Sequence, residues 1–124
     1  MPGEDAEGVV PAVRMLREIG LGNAPDYTGL EVCVVGGGNV AMDAARSAVR
    51  CGAKKVTVVY RRRVADMTAL PEEIEGTIAD GCEIADLMAP LEVLTDAEGR
   101  VRALKAQPQI IGPVKRGRPA PRAA

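Results

Sequence analysis

The sequence predicts an α/β fold built on a parallel sheet. Two apolar segments, 31–36 and 55–60, are separated by a glycine turn and a helix-forming segment, which is the order of a strand–helix–strand unit. Tyr27 and Tyr60 are the only aromatic residues, so Val, Leu, Ile, Ala and Met must form the core, as is typical of parallel strands covered by helices. We therefore predict a Rossmann-like three-layer parallel sheet, joined to an antiparallel hairpin.

The composition limits the size and class of the protein. Its 124 residues are enough for one domain with a core but hardly for two. Apolar residues make up 47%, which excludes disorder for most of the chain, and the net charge of −1 gives no general attraction to nucleic acid or membranes. No apolar run approaches the roughly 20 residues of a membrane span and no signal-peptide pattern opens the chain, so we expect a cytoplasmic protein.

The first part of the chain, residues 1–30, is predicted to be a linker and an N-terminal helix. Apolar residues recur at helical spacing over 9–19, with charged residues between them. Gly20 and Gly22 end this helix, and the turn-forming residues that follow lead into the first strand.

Residues 31–111 are predicted to form the central domain. Its elements, in order, are a strand over 31–36, a helix over 39–51, a strand over 55–60, a helix over 71–81 and a third strand over 83–87. Small side chains recur along one face of the first of these helices and allow it to lie close to the sheet. They are Ala41, Ala44, Ala45 and Ala48.

The chain then changes character. Residues 91–94 and 100–106 mix apolar and charged residues and are joined by a turn with Gly99, which predicts the antiparallel hairpin. Residues 112–124 contain four basic residues among Pro, Gly and Ala, and we expect a basic flexible tail. Because this tail lacks interleaved aromatic residues, it does not indicate nucleic-acid binding.

The glycine turn fits the dinucleotide-binding pattern G-x-G-x-x-A through Gly36, Gly38 and Ala41. The first glycine permits a tight turn, the second lets a pyrophosphate approach the backbone, and the alanine allows close packing of helix on strand. Backbone amides at the start of the helix then face the phosphates. A merely structural turn is the alternative, but a strand before, a helix after and a second strand at the right distance favour a nucleotide site.

Three arginines end the second strand, where an NAD site has an acidic residue for the ribose 2′-hydroxyl. Arg61 and Arg62 can instead hold a 2′-phosphate through charge-assisted hydrogen bonds, which favours NADPH. A solvated basic loop remains the alternative, and the missing acid argues against S-adenosylmethionine. The cofactor-binding residues predicted are Gly36, Gly37, Gly38, Asn39, Val40, Ala41, Tyr60, Arg61 and Arg62.

The sequence indicates no catalytic residue and no metal site. Histidine is absent, and the three cysteines are too widely spaced for a disulfide framework or a zinc or iron–sulfur site. We expect Cys33, between valines, to be a small buried residue. Glu72, Glu73 and Glu75 fit a solvated first turn of a helix better than acid–base catalysis, and the role of Asp43 stays open.

Two runs of residues carry a resemblance to a known family. They are Gly-Gly-Gly-Asn-Val-Ala-Met-Asp-Ala-Ala-Arg over 36–46 and Gly-Ala-Lys-Lys-Val-Thr-Val-Val-Tyr-Arg-Arg over 52–62. With 66–74 and 2–9, they resemble the NADPH-binding domain of the glutamate synthase small (beta) subunit family, among the FAD-dependent pyridine nucleotide-disulfide oxidoreductases. The resemblance extends over nearly the whole chain.

This resemblance implies a function in electron transfer. The domain would hold NADPH for hydride transfer to FAD in a full-length flavoprotein, which passes electrons to iron–sulfur clusters or a partner subunit. It also implies that the chain is a truncated domain, since the family's FAD domain and a closing parallel strand are missing. We expect the isolated chain to bind nucleotide, to be inactive and to form a homodimer. The competing hypothesis is a non-catalytic nucleotide-sensing or interaction module.

Overall fold

The computed structural model describes residues 1–115 and 118–123. Three helices and six strands make up the described chain, with a short 3-10 helix at Val64–Asp66. The elements are α1 (Ala12–Gly20), β1 (Glu31–Val35), α2 (Asn39–Arg50), β2 (Lys55–Val59), α3 (Pro71–Ala79), β3 (Glu83–Ala85), β4 (Met88–Thr95), β5 (Val101–Lys115) and β6 (Arg118–Ala123). None of the helices in this part of the chain is long and apolar enough to cross a membrane.

The first three strands form a parallel sheet in the order β1-β2-β3. Val35 pairs with Val59, and Val59 pairs in turn with Ala85, so the three strands finish at the same edge. The α/β fold with a parallel sheet is confirmed, and each of the three predicted strands begins where expected. The strands end one or two residues early because the chain turns away at Gly36, Tyr60 and Asp86.

The core lies between this sheet and α2. Val34, Val56 and Val58 point to the helix-covered face and are buried. The small side chains predicted to face the sheet are buried against them: Ala41, Ala44, Ala45 and Ala48. Because alanine is short, the helix axis lies close to the strands.

The expectation that Cys33 is buried is wrong, because its side chain is exposed. Successive residues of a strand point to opposite faces. Val32 and Val34 therefore turn to α2, while Cys33 and Val35 turn to the other face, where Val35 is 48% exposed. The apolar run of β1 therefore belongs to a strand that is covered on one face only.

A group of ionic contacts joins α2 to α3. Arg46 Nε donates to Asp80 at 2.7 Å, and its Nη1 donates to Glu73 at 3.4 Å. The guanidinium lies over Gly76, where a Cβ would come within 2.8 Å of Arg46 Nη1. The hydrogen bond to Asp80 raises the pKa of Arg46. Beside this group, the fully buried Thr77 donates its hydroxyl to the Glu73 carbonyl at 2.7 Å.

Helix α1 begins at Ala12, three residues later than the periodicity predicts. Pro11 precedes it, and a proline disfavours helical backbone in the residue before it, so Val10 stays outside. The helix packs on α2 through the buried Met15, whereas Val13 is 67% exposed. The face that contacts the protein is therefore the Met15 face rather than the Val13 face.

The hairpin is present and longer than predicted. Strands β4, β5 and β6 form an antiparallel sheet in that order, and the N-terminal segment lies along it, with the Val93 N–H donating to the Pro2 carbonyl at 2.8 Å. The structure differs from the expected tail over 112–124: the backbone up to Lys115 continues β5, and 118–123 form β6. Because β6 is an edge strand, it tolerates its two prolines. Residues 116, 117 and 124 lie outside the described residues.

Candidate nucleotide-binding site

The glycine loop (residues 36–38) and the arginine turn (residues 61–63) lie side by side at one edge of the parallel sheet. The loop follows β1 and the turn follows β2, and these strands pair in register up to Val35 and Val59. The Gly36 N–H donates to the Val59 carbonyl at 3.0 Å, which extends the pairing into the loop. Carboxyl ends of parallel strands are where open α/β sheets bind their ligands.

Two of the three glycines are required by the protein itself. Gly36 has φ of +136°, a backbone conformation that side chains oppose. A Cβ at Gly36 would lie 3.5 Å from the Cβ of Ala41, which shows how close α2 comes to the turn. A Cβ at Gly37 would lie 2.7 Å from Cε1 of Tyr60, whose ring lies against the loop.

Gly38 differs from its two neighbours. Its φ of −93° and ψ of 178° are extended backbone that any residue adopts. Among the described residues, the atom nearest to a Cβ at this position is Thr68 Oγ1, at the ordinary contact distance of 3.5 Å. Neither backbone strain nor crowding therefore requires a glycine here, and the space that a side chain would fill is open.

The first turn of α2 adds hydrogen-bond donors beside this space. Gly38 is the N-cap and supplies no side-chain cap, and the Met42 N–H bonds to the Gly38 carbonyl at 3.2 Å. The amides of the first helical turn, including those of Asn39 and Val40, have no partners within the helix and carry the positive end of its dipole. This end of α2 can therefore bind an anion.

The segment between β2 and α3 (residues 60–70) crosses the glycine loop and is bonded to it. The Ala69 N–H donates to the Gly37 carbonyl at 3.0 Å, and the Leu70 N–H donates to Asn39 Oδ1 at 3.0 Å. The Tyr60 hydroxyl donates to the Asp66 carbonyl at 3.2 Å. Because Leu70 uses the oxygen of the Asn39 amide, the Nδ2 donors of that side chain are directed elsewhere.

The three arginines have different environments. Arg61 is exposed and Arg62 is half-buried. Arg63 donates from Nε and Nη2 to the Asp66 carboxylate, at 3.0 Å and 3.2 Å, and this hydrogen bonding raises the pKa of Arg63. An arginine that is bonded to a carboxylate at two points is already neutralised, so Arg63 is not a candidate for an external phosphate.

A cavity of about 180 Å³ lies beside the arginine turn. Its walls are mainly apolar, which suits the carbon surface of a nucleoside next to a charged phosphate site. The lining residues are Val35, Gly36, Val59, Tyr60, Arg61 and Pro90.

The sequence did not single out two residues of this region. Thr68 lies next to Gly38, and Asp66 binds both Arg63 and Tyr60. The only local signal is the spacing of Arg63 and Asp66, three residues apart in a short helical turn. Among the other acidic residues, Glu73 bonds to Arg46, while Glu72, Glu75 and Asp43 are exposed.

Comparison with known proteins agrees with this geometry. Residues 1–89 match the family model described as pyridine nucleotide-disulphide oxidoreductase. The chain belongs to this family. The family prediction made from the two sequence runs is therefore confirmed, and the chain is an NAD(P)-binding domain of the oxidoreductase class.

Curated relatives have similar sequences over most of the chain. The NADP(+)-dependent formate dehydrogenase subunit beta of Moorella thermoacetica is 40% identical over 105 residues, which are 83% of this chain and 15% of that protein. The glutamate synthase [NADPH] small chain of Escherichia coli is 34% identical over 115 residues, which are 85% of this chain and 24% of that protein. The chain thus spans less than a quarter of the length of these relatives.

A solved structure shows the same fold. The structure of Mycobacterium tuberculosis FprA in complex with NADPH has a TM-score of 0.76 and 17% sequence identity, over 99% of this chain and 42% of that chain. The structure of T. acidophilum thioredoxin reductase has a TM-score of 0.58 and 20% sequence identity, over 66% of this chain and 26% of that chain.

Proposed function

We propose that this chain is the NADPH-binding domain of a flavoprotein oxidoreductase similar to the glutamate synthase small chain. The observation that carries the proposal is Gly38, where neither backbone angles nor neighbouring atoms require a glycine. The open space there lies at the N-terminus of α2, where a pyrophosphate would need to approach the backbone.

The residues of the site suit the two ends of an adenine dinucleotide phosphate. The amides of Asn39 and Val40 would bind the pyrophosphate, and Arg61 and Arg62 would bind the 2′-phosphate. Tyr60 would hold the glycine loop in place through its contact with Gly37. The arginine turn favours NADPH over NADH because its guanidinium groups can bind the 2′-phosphate, which is absent from NADH. An acid at this position would repel that phosphate.

In the full-length protein, we propose, the domain presents its nucleotide to FAD. The bound nucleotide supplies a hydride. This chain contributes binding and orientation, and the residues named above include no acid–base group that takes part in the transfer. The names of two relatives include NADP(+) or NADPH, which supports an NADP-dependent reaction. The partners that we propose are the FAD domain and an electron-acceptor domain or subunit of the full-length protein. The predicted cytoplasmic location stays a prediction.

Calorimetric titration of the purified chain with NADPH and with NADH tests this function. We expect NADPH to bind and NADH to bind more weakly. Equal affinities, or tighter binding of NADH, would contradict the assignment of the arginine turn. A chain that binds neither nucleotide would contradict the function as a whole.

We also infer that the isolated chain self-associates, most simply as a two-fold dimer. Within the described residues, β1 has a strand partner on one side only, and its outward-facing Cys33 and Val35 are exposed. Unpaired strand edges pair readily with other chains, and a charged side chain on the edge opposes this.

Light scattering of the purified chain tests the self-association. We expect a dimer, and we expect Cys33→Lys to shift it to monomer. Val13→Lys, on α1, is the matched variant: if it dissociates the dimer and Cys33→Lys does not, the interface is α1 rather than β1. A wild-type monomer of 13.0 kDa at high concentration would overturn the inference.

A further inference from the structure

Thr68 lies at a position where the 60–70 segment passes the phosphate side of the glycine loop. Its Oγ1 is 3.5 Å from the place of a Cβ on Gly38. This is the same space that distinguishes Gly38 from the other two glycines, so any group that occupies it contacts both residues. The side chain of Thr68 is exposed, and its hydroxyl is therefore accessible to a ligand.

The backbone on both sides of Thr68 is fixed. Met67 and Ala69 are buried in the core cluster, and the Met67 N–H donates to the Val64 carbonyl at 3.1 Å. On the other side, the Ala69 N–H donates to Gly37 at 3.0 Å. Because the backbone at Thr68 is already ordered, binding a ligand there costs little backbone conformational entropy.

The backbone amide donors next to the open space at Gly38 all lie on its α2 side. The amides of the first turn of α2 point to it from the helix. The Thr68 hydroxyl faces the same space from the 60–70 segment. A phosphate group has oxygens on all sides, so donors from two directions fit it better than donors from one.

We propose that the Thr68 hydroxyl donates a hydrogen bond to the phosphate that is bound by the first turn of α2. This inference rests on the proposed function and adds a residue to the same site. The pyrophosphate is common to NADPH and NADH, so Thr68 contributes equally to both nucleotides. In this respect it differs from Arg61 and Arg62, which act only on the 2′-phosphate.

The test compares Thr68→Val with Thr68→Ser by calorimetric titration of NADPH and NADH. Valine keeps the shape of threonine and removes the hydroxyl, and we expect both affinities to fall by a similar factor, roughly tenfold. Serine keeps the hydroxyl and should restore most of the affinity. The matched control is Thr95→Val, which removes an exposed hydroxyl at the end of β4 and should change neither affinity.

The outcomes are separable. If Thr68→Val binds both nucleotides as tightly as the wild type, the inference is wrong while the proposed function stands. A loss restricted to NADPH also contradicts it, since the hydroxyl would then act at the 2′-phosphate. A loss that serine does not restore points to packing instead. Wild-type chain that binds neither nucleotide contradicts the proposed function. Thermal melting of each variant shows that the fold is retained.

Discussion

The glycine loop and the arginine turn are both runs of three identical residues, and in each run the members differ. Gly36 is required by its φ of +136°, Gly37 by the Tyr60 ring, and Gly38 by nothing in the described protein. Arg61 is exposed, Arg62 is half-buried, and Arg63 is bonded to Asp66. In the glycine run, the residue assigned to the ligand is the one that the described fold does not constrain. In the arginine run, the member left out of the assignment is the one bonded to Asp66 at two points.

The glycine loop and the arginine turn differ in the interaction that determines ligand binding. The glycine loop depends on steric contact, which rises steeply when atoms are pushed together. The arginine turn depends on hydrogen bonds between charged groups, each of which adds a limited amount. A substitution that fills the phosphate space should therefore abolish binding, and substitutions in the arginine turn should reduce the affinity in steps.

Replacing Gly38 with valine should have the largest effect on binding. Because the backbone is extended there, the variant should fold, but its side chain would fill the phosphate space. We expect loss of binding of both NADPH and NADH, measured by titration, with an unchanged circular dichroism spectrum. Gly20→Val is the control, because a Cβ there meets no atom within 4 Å among the described residues. A folded Gly38→Val chain with normal affinity would remove the distinction between the glycines.

Replacing Gly37 with alanine should affect stability and binding together. The new methyl group would displace the Tyr60 ring and weaken its hydrogen bond to Asp66. We expect a loss of about 1–3 kcal/mol in the free energy of unfolding, as is usual for overpacking, and weaker binding of both nucleotides. Chemical denaturation and titration measure the two effects, with Gly20→Ala as control. Full stability would show that the ring moves aside at no cost.

Replacing Arg61 and Arg62 together with alanine should weaken NADPH binding alone. Hydrogen bonds to charged groups contribute about 1–3 kcal/mol, and we expect a loss in this range for NADPH and little change for NADH. Replacing Arg14 and Arg17 on α1 with alanine makes the same change of net charge and serves as the control. Parallel losses for the two nucleotides would mean that the arginines act on the fold or on the shared pyrophosphate.

Replacing Arg63 with alanine should have the smallest effect on the nucleotide. Its guanidinium is bonded to Asp66 at the end of the adjacent 3-10 helix, so it is not expected to contribute to the 2′-phosphate site. We expect NADPH affinity close to that of the wild type. If this variant loses as much affinity as the double variant, the run of arginines acts as one charge cluster and the distinction between its members fails.

The sequence predicts most of the parallel sheet because its signals are local. The valines of β1 and β2, the alanines of α2 and the proline at the start of α3 each carry information about their own element. It does not predict which face of β1 is covered, because Cys33 and Val34 are both apolar and only the packing of α2 distinguishes them. The periodicity also places the start of α1 too early, because Pro11 disfavours helical backbone at Val10.

The site is predictable in part for a similar reason. The glycine pattern and the arginines are short motifs with a known physical basis, and the structure places them at one edge of the sheet. Thr68 and Asp66 belong to a segment without periodicity, and their positions depend on contacts with Gly38, Tyr60 and Arg63. No local pattern encodes such contacts, because they form only when β2 and α3 are in place.

The ionic group around Arg46 extends the influence of the site beyond the residues that contact a nucleotide. Arg46 belongs to α2, whose first turn would hold the phosphate, and it is bonded to Glu73 and Asp80 on and next to α3. Opening of α3 therefore requires this group to break. When a ligand suppresses local unfolding of α2, the amide hydrogens of α3 should exchange more slowly with deuterium as well, although no residue of α3 is assigned to the phosphate.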